Sequence, residues 1–146
     1  MKLEAPKLRQ ARLQRQEIWR RARATSPALR GVFPRVELLH IELKFVDHMA
    51  HTPADQTHTM HPAAQAFFSF PCPYADCDGA YDLAAAVNEA AGSSPHRCEG
   101  DLHCTGHRVR DGANGQACGL QLHFAVTVRI RRPSTAARET ADAAPG

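Results

Sequence analysis

Five cysteines fall between Cys72 and Cys118, and the first two frame Cys72-Pro-Tyr-Ala-Asp-Cys77-Asp-Gly79. Zinc takes thiolate and imidazole ligands, four to a tetrahedron, with sulfur about 2.3 Å from the ion. A pair of cysteines around a tight turn supplies two corners. A distant pair supplies the other two and ties a small domain together. Glycine stands two residues after Cys77, Cys98 and Cys104, and directly after Cys118. A residue that small lets backbone N–H groups reach sulfur, the outer hydrogen bonding that a buried thiolate needs. Cys72 and Cys77 form the first pair. For the second, Cys98 with Cys104 is the closer local pair and would leave Cys118 free, whereas Cys104 with Cys118 would leave Cys98 free. We take Cys104 and Cys118, with Cys98 as the alternate ligand. Cys118 leads directly into the best strand of the chain, much as residues 67–70 lead into Cys72, while Cys98 belongs to the soft loop around residues 93–97. The expected cofactor is one structural Zn2+ on Cys72, Cys77, Cys104 and Cys118.

Two other groups of residues could do chemistry. His48-Met-Ala-His51 and His58-Thr-Met-His61 are paired His-x-x-His units. Histidines three apart can chelate a metal, and methionine beside them would also suit copper or nickel. Thr52-Pro53 and His61-Pro62 argue against a regular helix there. Arg12, Arg15, Arg20, Arg21 and Arg23 could contact phosphates, giving salt-sensitive binding without sequence preference, with Trp19 as a stacking residue. No nucleophile–base–acid order, telling carboxylate pair or phosphate loop is present. The chain lacks Cys-x-x-Cys at a helix start, His-Glu-x-x-His, and the deaminase pairing of His-x-Glu with Pro-Cys-x-x-Cys. No catalytic residue and no small-molecule substrate is indicated.

The elements that must position these groups fit one domain of ordinary size within 146 residues. Residues 1–33 form a basic N-terminal helix or arm, 34–132 the metal-bearing domain, and 133–146 a tail of Ala, Thr, Pro and charge without period. Residues 1–35 carry ten Lys/Arg against two Glu, a charge of +8. The remainder carries eight Lys/Arg against thirteen Asp/Glu, a charge of −5. A basic arm on an acidic body points to an anionic partner. No apolar run reaches the ~18 residues of a membrane-spanning helix, and the N-terminus lacks the apolar core of a secretory signal. The expected compartment is therefore the cytoplasm, where a cysteine cluster reads as a metal site rather than as disulfides.

Residues 7–24 lack Pro and Gly and read as helix, but their apolar residues form no clean stripe, so the helix is exposed or ordered by a partner. From Val36 the period becomes two: Leu39, Ile41, Leu43 and Phe45 alternate with polar residues as a half-buried strand. Residues 47–64 read as a long polar loop, and 66–70 as a short strand. Asp82 is a cap for a helix over about 83–91, with Gly92 its stop. Residues 92–97 read as loop, 102–104 and 108–110 as hairpin arms turning at Asp111-Gly112. Leu120, Leu122, Phe124, Val126, Val128 and Ile130 form one face of the clearest strand.

The stretch from Val36 to Arg131 resembles the zinc-ribbon proteins. Its phrase Phe68-Ser-Phe-Pro-Cys72-Pro-Tyr-Ala-Asp-Cys77-Asp-Gly79, followed by Tyr81-Asp-Leu83, looks like that of small bacterial members of the group. The resemblance implies an α+β fold: a small antiparallel sheet with a zinc-ribbon core, one short helix after the first knuckle and a separate N-terminal helix. The function expected is a non-enzymatic module that binds protein or nucleic acid. The alternatives are a nucleic-acid-binding accessory factor working through the basic arm, and a metal-handling or catalytic protein using the histidine loop.

Overall fold

Alternation of apolar and polar residues over 39–45 and along most of 121–130 makes the two longest strands, and their pairing makes the core. The structure, a computed structural model, describes residues 6–46, 54–74, 77–108 and 116–131. In chain order these form α1 (Pro6–Thr25), the single turn α2 (Leu29–Val32), β1 (Val36–Val46), β2 (Gln56–Met60), β3 (Ser69–Pro71), β4 (Ala80–Asp82), α3 (Ala84–Gly92), β5 (Arg97–His103), β6 (His107–Arg108), β7 (Gln116–Ala117) and β8 (Gln121–Ile130). The fold is α+β, and every strand pairing among the described residues is antiparallel.

β1 and β8 lie at the centre of a four-stranded sheet of order β2-β1-β8-β5. Their register sets Leu39 opposite Val128, Ile41 opposite Val126, Leu43 opposite Phe124 and Phe45 opposite Leu122. Because side chains alternate across a strand, these eight share one face. Leu39, Ile41, Leu43, Leu122 and Val126 on it have no exposure at all. The other face carries His40, Glu42 and Lys44 beside Thr127, Ala125 and His123, with Arg97, Glu99 and Asp101 on β5.

Two short units cover the apolar face. α3 sits over β5 and β8 and buries Ala86, Val87 and Ala90. The β3–β4 hairpin sets Phe70 opposite Tyr81. Tyr81 packs on Phe45 at 5.9 Å between ring centroids, and Phe70 packs on His58 of β2 at 4.7 Å. The turn α2 is strapped to residues 62–66 by Leu29 N–H to Ala64 O at 2.7 Å and Ala66 N–H to Pro27 O at 2.7 Å, which seats Leu29 in the core.

Four sequence expectations change. The polar loop over 47–64 contains β2, whose Gln56, His58 and Met60 are half-buried while Thr57 and Thr59 are exposed. The loop of residues 92–97 ends in β5, a seven-residue strand starting at Arg97, so Cys98 stands on a strand opposite Val126. The strand over 66–70 shortens to Ser69–Pro71. α3 starts one residue later than the sequence indicates, and the Asp82 carboxylate still accepts its first free N–H, from Ala84 at 2.9 Å. The hairpin turn at Asp111-Gly112 and the C-terminal tail lie outside the described residues. Among the described residues, no helix is long and apolar enough to cross a membrane.

Candidate metal centre

Two of the strand pairs, β3–β4 and β5–β8, end at a pair of cysteines. β3 runs through Pro71 into Cys72, and Cys77-Asp78-Gly79 leads back into β4. β5 runs through His103 into Cys104, and Cys118-Gly119-Leu120 leads into β8. The hydrogen bonds that close the strand ends also close the turns: Cys72 N–H to Gly79 O at 3.0 Å, Cys104 N–H to Leu120 O at 2.9 Å, and Cys118 N–H to Gly106 O at 2.9 Å.

The Sγ atoms of Cys72, Cys77, Cys104 and Cys118 all lie within 4.8 Å of one another. The Cys77–Cys104 separation is 3.5 Å and the Cys72–Cys118 separation 3.8 Å. A tetrahedron with metal–sulfur bonds of about 2.3 Å has sulfur–sulfur edges of about 3.8 Å, so the donor set fits a thiophilic divalent ion. Gly79 N–H donates to Cys77 Sγ at 3.3 Å and Gly106 N–H to Cys104 Sγ at 3.4 Å. The two bonds are equivalent, each from the residue two positions after the cysteine. They are the outer hydrogen bonds that favour thiolate and fix its direction.

The two turns press against each other through those glycines. A Cβ on Gly79 would stand 2.2 Å from Cys104 Sγ, and one on Gly106 would stand 2.3 Å from the Gly79 backbone. No side chain fits at either place. Asp78 bridges the turns: its N–H donates to His107 O at 3.2 Å, and its carboxylate accepts His107 N–H at 2.6 Å. Tyr81, buried beneath the centre, donates its hydroxyl to Leu120 O at 2.7 Å and so joins the hairpin to β8.

Burial opposes charge on these sulfurs. It pushes the Cys72, Cys77 and Cys104 thiols well above the ordinary thiol range, and the N–H bonds to Cys77 and Cys104 offset it only in part. A divalent cation reverses this balance, because a coordinated thiol gives up its proton. Within the described residues this is the one group of three or more Cys, His, Asp or Glu side chains close enough to share an ion.

Of the residues singled out by sequence, Cys98 lies apart from the cluster and donates its thiol to Glu89 of α3 at 3.1 Å. His48 and His51 lie outside the described residues. His58 hydrogen-bonds Gln56 at 3.1 Å and packs against Phe70 with the rings tilted at 40°, and His61 is exposed. Arg12 belongs to α1, and its side chain is not among those described. The other arginines are engaged. Arg15 Nη2 donates to the Cys77 carbonyl at 2.9 Å. Arg20 and Arg21 both hold Glu17, whose carboxyl is thereby lowered to about 2, chiefly by its hydrogen bond from Arg20. Arg23 lies over the Phe67 ring at 5.5 Å. Trp19 Nε1 donates to Ser69 Oγ at 3.3 Å.

Sequence reasoning missed the roles of Asp78, Tyr81 and Arg15. Asp78 had a readable signal, since it repeats the polar-then-glycine step that follows Cys98 and Cys104. Tyr81 and Arg15 act on residues 39 and 62 positions away, which no local pattern encodes. No protein-family model, curated protein or solved structure matches the chain.

Proposed function

We propose that this chain is a small non-enzymatic binding module held together by one structural Zn2+ on Cys72, Cys77, Cys104 and Cys118. The observation that carries the reading is the meeting of four sulfurs at near-tetrahedral spacing on two glycine-closed turns. All four protein ligands are present, which suits a closed structural site; a catalytic zinc keeps one position open. Antiparallel strands ending in two such turns support the zinc-ribbon reading of the sequence. A thiolate centre of this kind suits a reducing compartment, and the cytoplasm is the location we assign.

The partner we favour is protein. Four of the five arginines read as an anion-binding arm already have partners within the chain. α1 also leaves Leu13 and Ile18 exposed at 51% and 67%, apolar area that a protein surface covers better than a phosphate backbone does. Nucleic acid working through the arm is the second partner class.

Removal of the metal tests the structural role. Chelation of the purified reduced protein is expected to release one Zn2+ per chain, to lower its melting temperature and to weaken the near-ultraviolet signal of buried Tyr81. A protein that loses its zinc yet keeps that signal and its melting temperature has no structural metal.

A further inference from the structure

Arg15 is half-buried on α1. Its Nη2 reaches the Cys77 carbonyl, and its Nε is enclosed without an acceptor among the described residues. A part-buried guanidinium with one enclosed, unpaired donor is favoured by negative charge nearby. The acid on its own helix does not serve, because Glu17 is taken by Arg20 and Arg21. What Arg15 faces is the first cysteine turn. With Trp19, Arg23, Tyr74, Cys72 and Cys77 it lines a groove of about 600 Å³ between α1 and that turn.

Metal loading changes the charge behind this groove. A divalent ion that binds four thiols displaces four protons and leaves a centre of net charge −2, with no electron transferred. A guanidinium at a part-buried site feels that charge far more strongly than one in water. The helix is held to the body by polar and cation–ring contacts: Arg15 on the Cys77 carbonyl, the Trp19–Ser69 hydrogen bond and Arg23 over Phe67. Among its described side chains, the apolar Leu13 and Ile18 face away from the core.

We infer that Arg15 is the outer counter-charge of the metal centre, so that loading the four cysteines docks α1 on the first turn and losing the ion frees it. This rests on the four-cysteine zinc reading above and adds a second role to it. The metal both staples the sheet ends and governs whether the basic helix lies closed over the groove. The coupling is reciprocal: if the ion favours docking, docking favours the ion by the same factor.

Trp19 is the single tryptophan of the chain and lies in this groove, so its emission reports docking alone. The test uses the full chain, with Zn2+ for the fluorescence and Co2+ for the ligand set, whose thiolate absorption counts bound sulfur independently of the helix. Arg15→Ala, Arg15→Lys and wild type are compared, all zinc-loaded, by the access of a neutral quencher to Trp19. Wild type is expected to shield Trp19, and to lose that shielding as salt is raised. Arg15→Ala is expected to expose Trp19 while keeping one Co2+ per chain and the full thiolate absorption, with Zn2+ affinity lowered about threefold to tenfold. Arg15→Lys, which keeps charge but not the planar fork, is expected to restore part of the shielding. Equal shielding in loaded wild type and loaded Arg15→Ala overturns the coupling and leaves the four-cysteine site standing. Absence of thiolate absorption with Co2+ in wild type removes the site, and the coupling with it.

Discussion

Gly79 and Gly106 are needed for a different reason from most glycines. Neither is required by a left-handed backbone; each is where the other turn's atoms already stand. Gly79→Ala drives a methyl into Cys104 Sγ and the Gly106 backbone, and Gly106→Ala drives one into the Gly79 backbone. Overpacking a tight contact costs about 1–3 kcal/mol, and here the strain falls on the ligands themselves. Both variants are expected to lose that much stability by denaturant titration and to bind metal more weakly. Gly92→Ala is the control: a Cβ there meets nothing within 4 Å at the end of α3. It is expected to be neutral or to gain up to about 1 kcal/mol. A Gly79→Ala protein as stable as Gly92→Ala would contradict the close contact of the turns. The pairing of Cys72 with Cys77 was legible at this scale because it is local. The second pair was legible only through β8, Gln121–Ile130, the strand whose start carries Cys118 to the centre.

Strands with strong alternation read well at the scale of elements, and strands without it did not. β1 and β8 were plain from their buried residues. β2 was hidden because its inward residues are Gln56, His58 and Met60, and β5 because its inward residues include Cys98 and Gly100. In both, the strand exists because a neighbour offers an edge, which tertiary context supplies and propensity does not. Gly100 has its own reason, since a Cβ there would stand 2.8 Å from the Phe124 ring that occupies the space. β2 also carries a pH dependence. Burial first, and the charge of Arg23 second, lower the pKa of His58 below its ordinary 6.5. The folded state therefore holds fewer protons than the unfolded state as pH falls through that value. The neutral ring's contribution is present above pH 6.5 and is lost below it. Comparing wild type with His58→Gln by denaturant titration at pH 7.5 and 5.5 is expected to show wild type losing more stability on acidification. Equal losses would mean that His58 titrates alike in both states.

At the scale of the whole molecule, the proposed metal site and the charge of the N-terminal helix bear on each other. Residues 1–35 carry +8 and residues 36–146 carry −5, yet nothing in the residues around Arg15 signals that it meets the first cysteine turn. That contact joins residues 62 positions apart, and the local pattern is that of any basic helix. The thiols make the metal-free molecule sensitive to base. Burial raises the Cys72, Cys77 and Cys104 pKa values in the folded state above the ordinary 9.0. Unfolded thiols ionise as pH passes about 9 while the folded ones stay protonated, so stability is full below that pH and falls above it. The melting temperature of chelated, reduced protein is expected to hold between pH 7 and about 8.5 and to fall by pH 10. In the zinc-loaded protein those sulfurs are already ionised and the alkaline fall is expected to vanish, whereas acid releases the ion by protonating them. The same alkaline fall with zinc bound would mean that these thiols hold no metal.

The most direct measurement is zinc content per chain, by elemental analysis, in wild type and in five variants that change each cysteine to serine in turn. One zinc per wild-type chain is expected, lost or strongly reduced in Cys72→Ser, Cys77→Ser, Cys104→Ser and Cys118→Ser, and retained in Cys98→Ser. Zinc retained in Cys118→Ser and lost in Cys98→Ser, or no zinc in wild type, would contradict the four-cysteine centre.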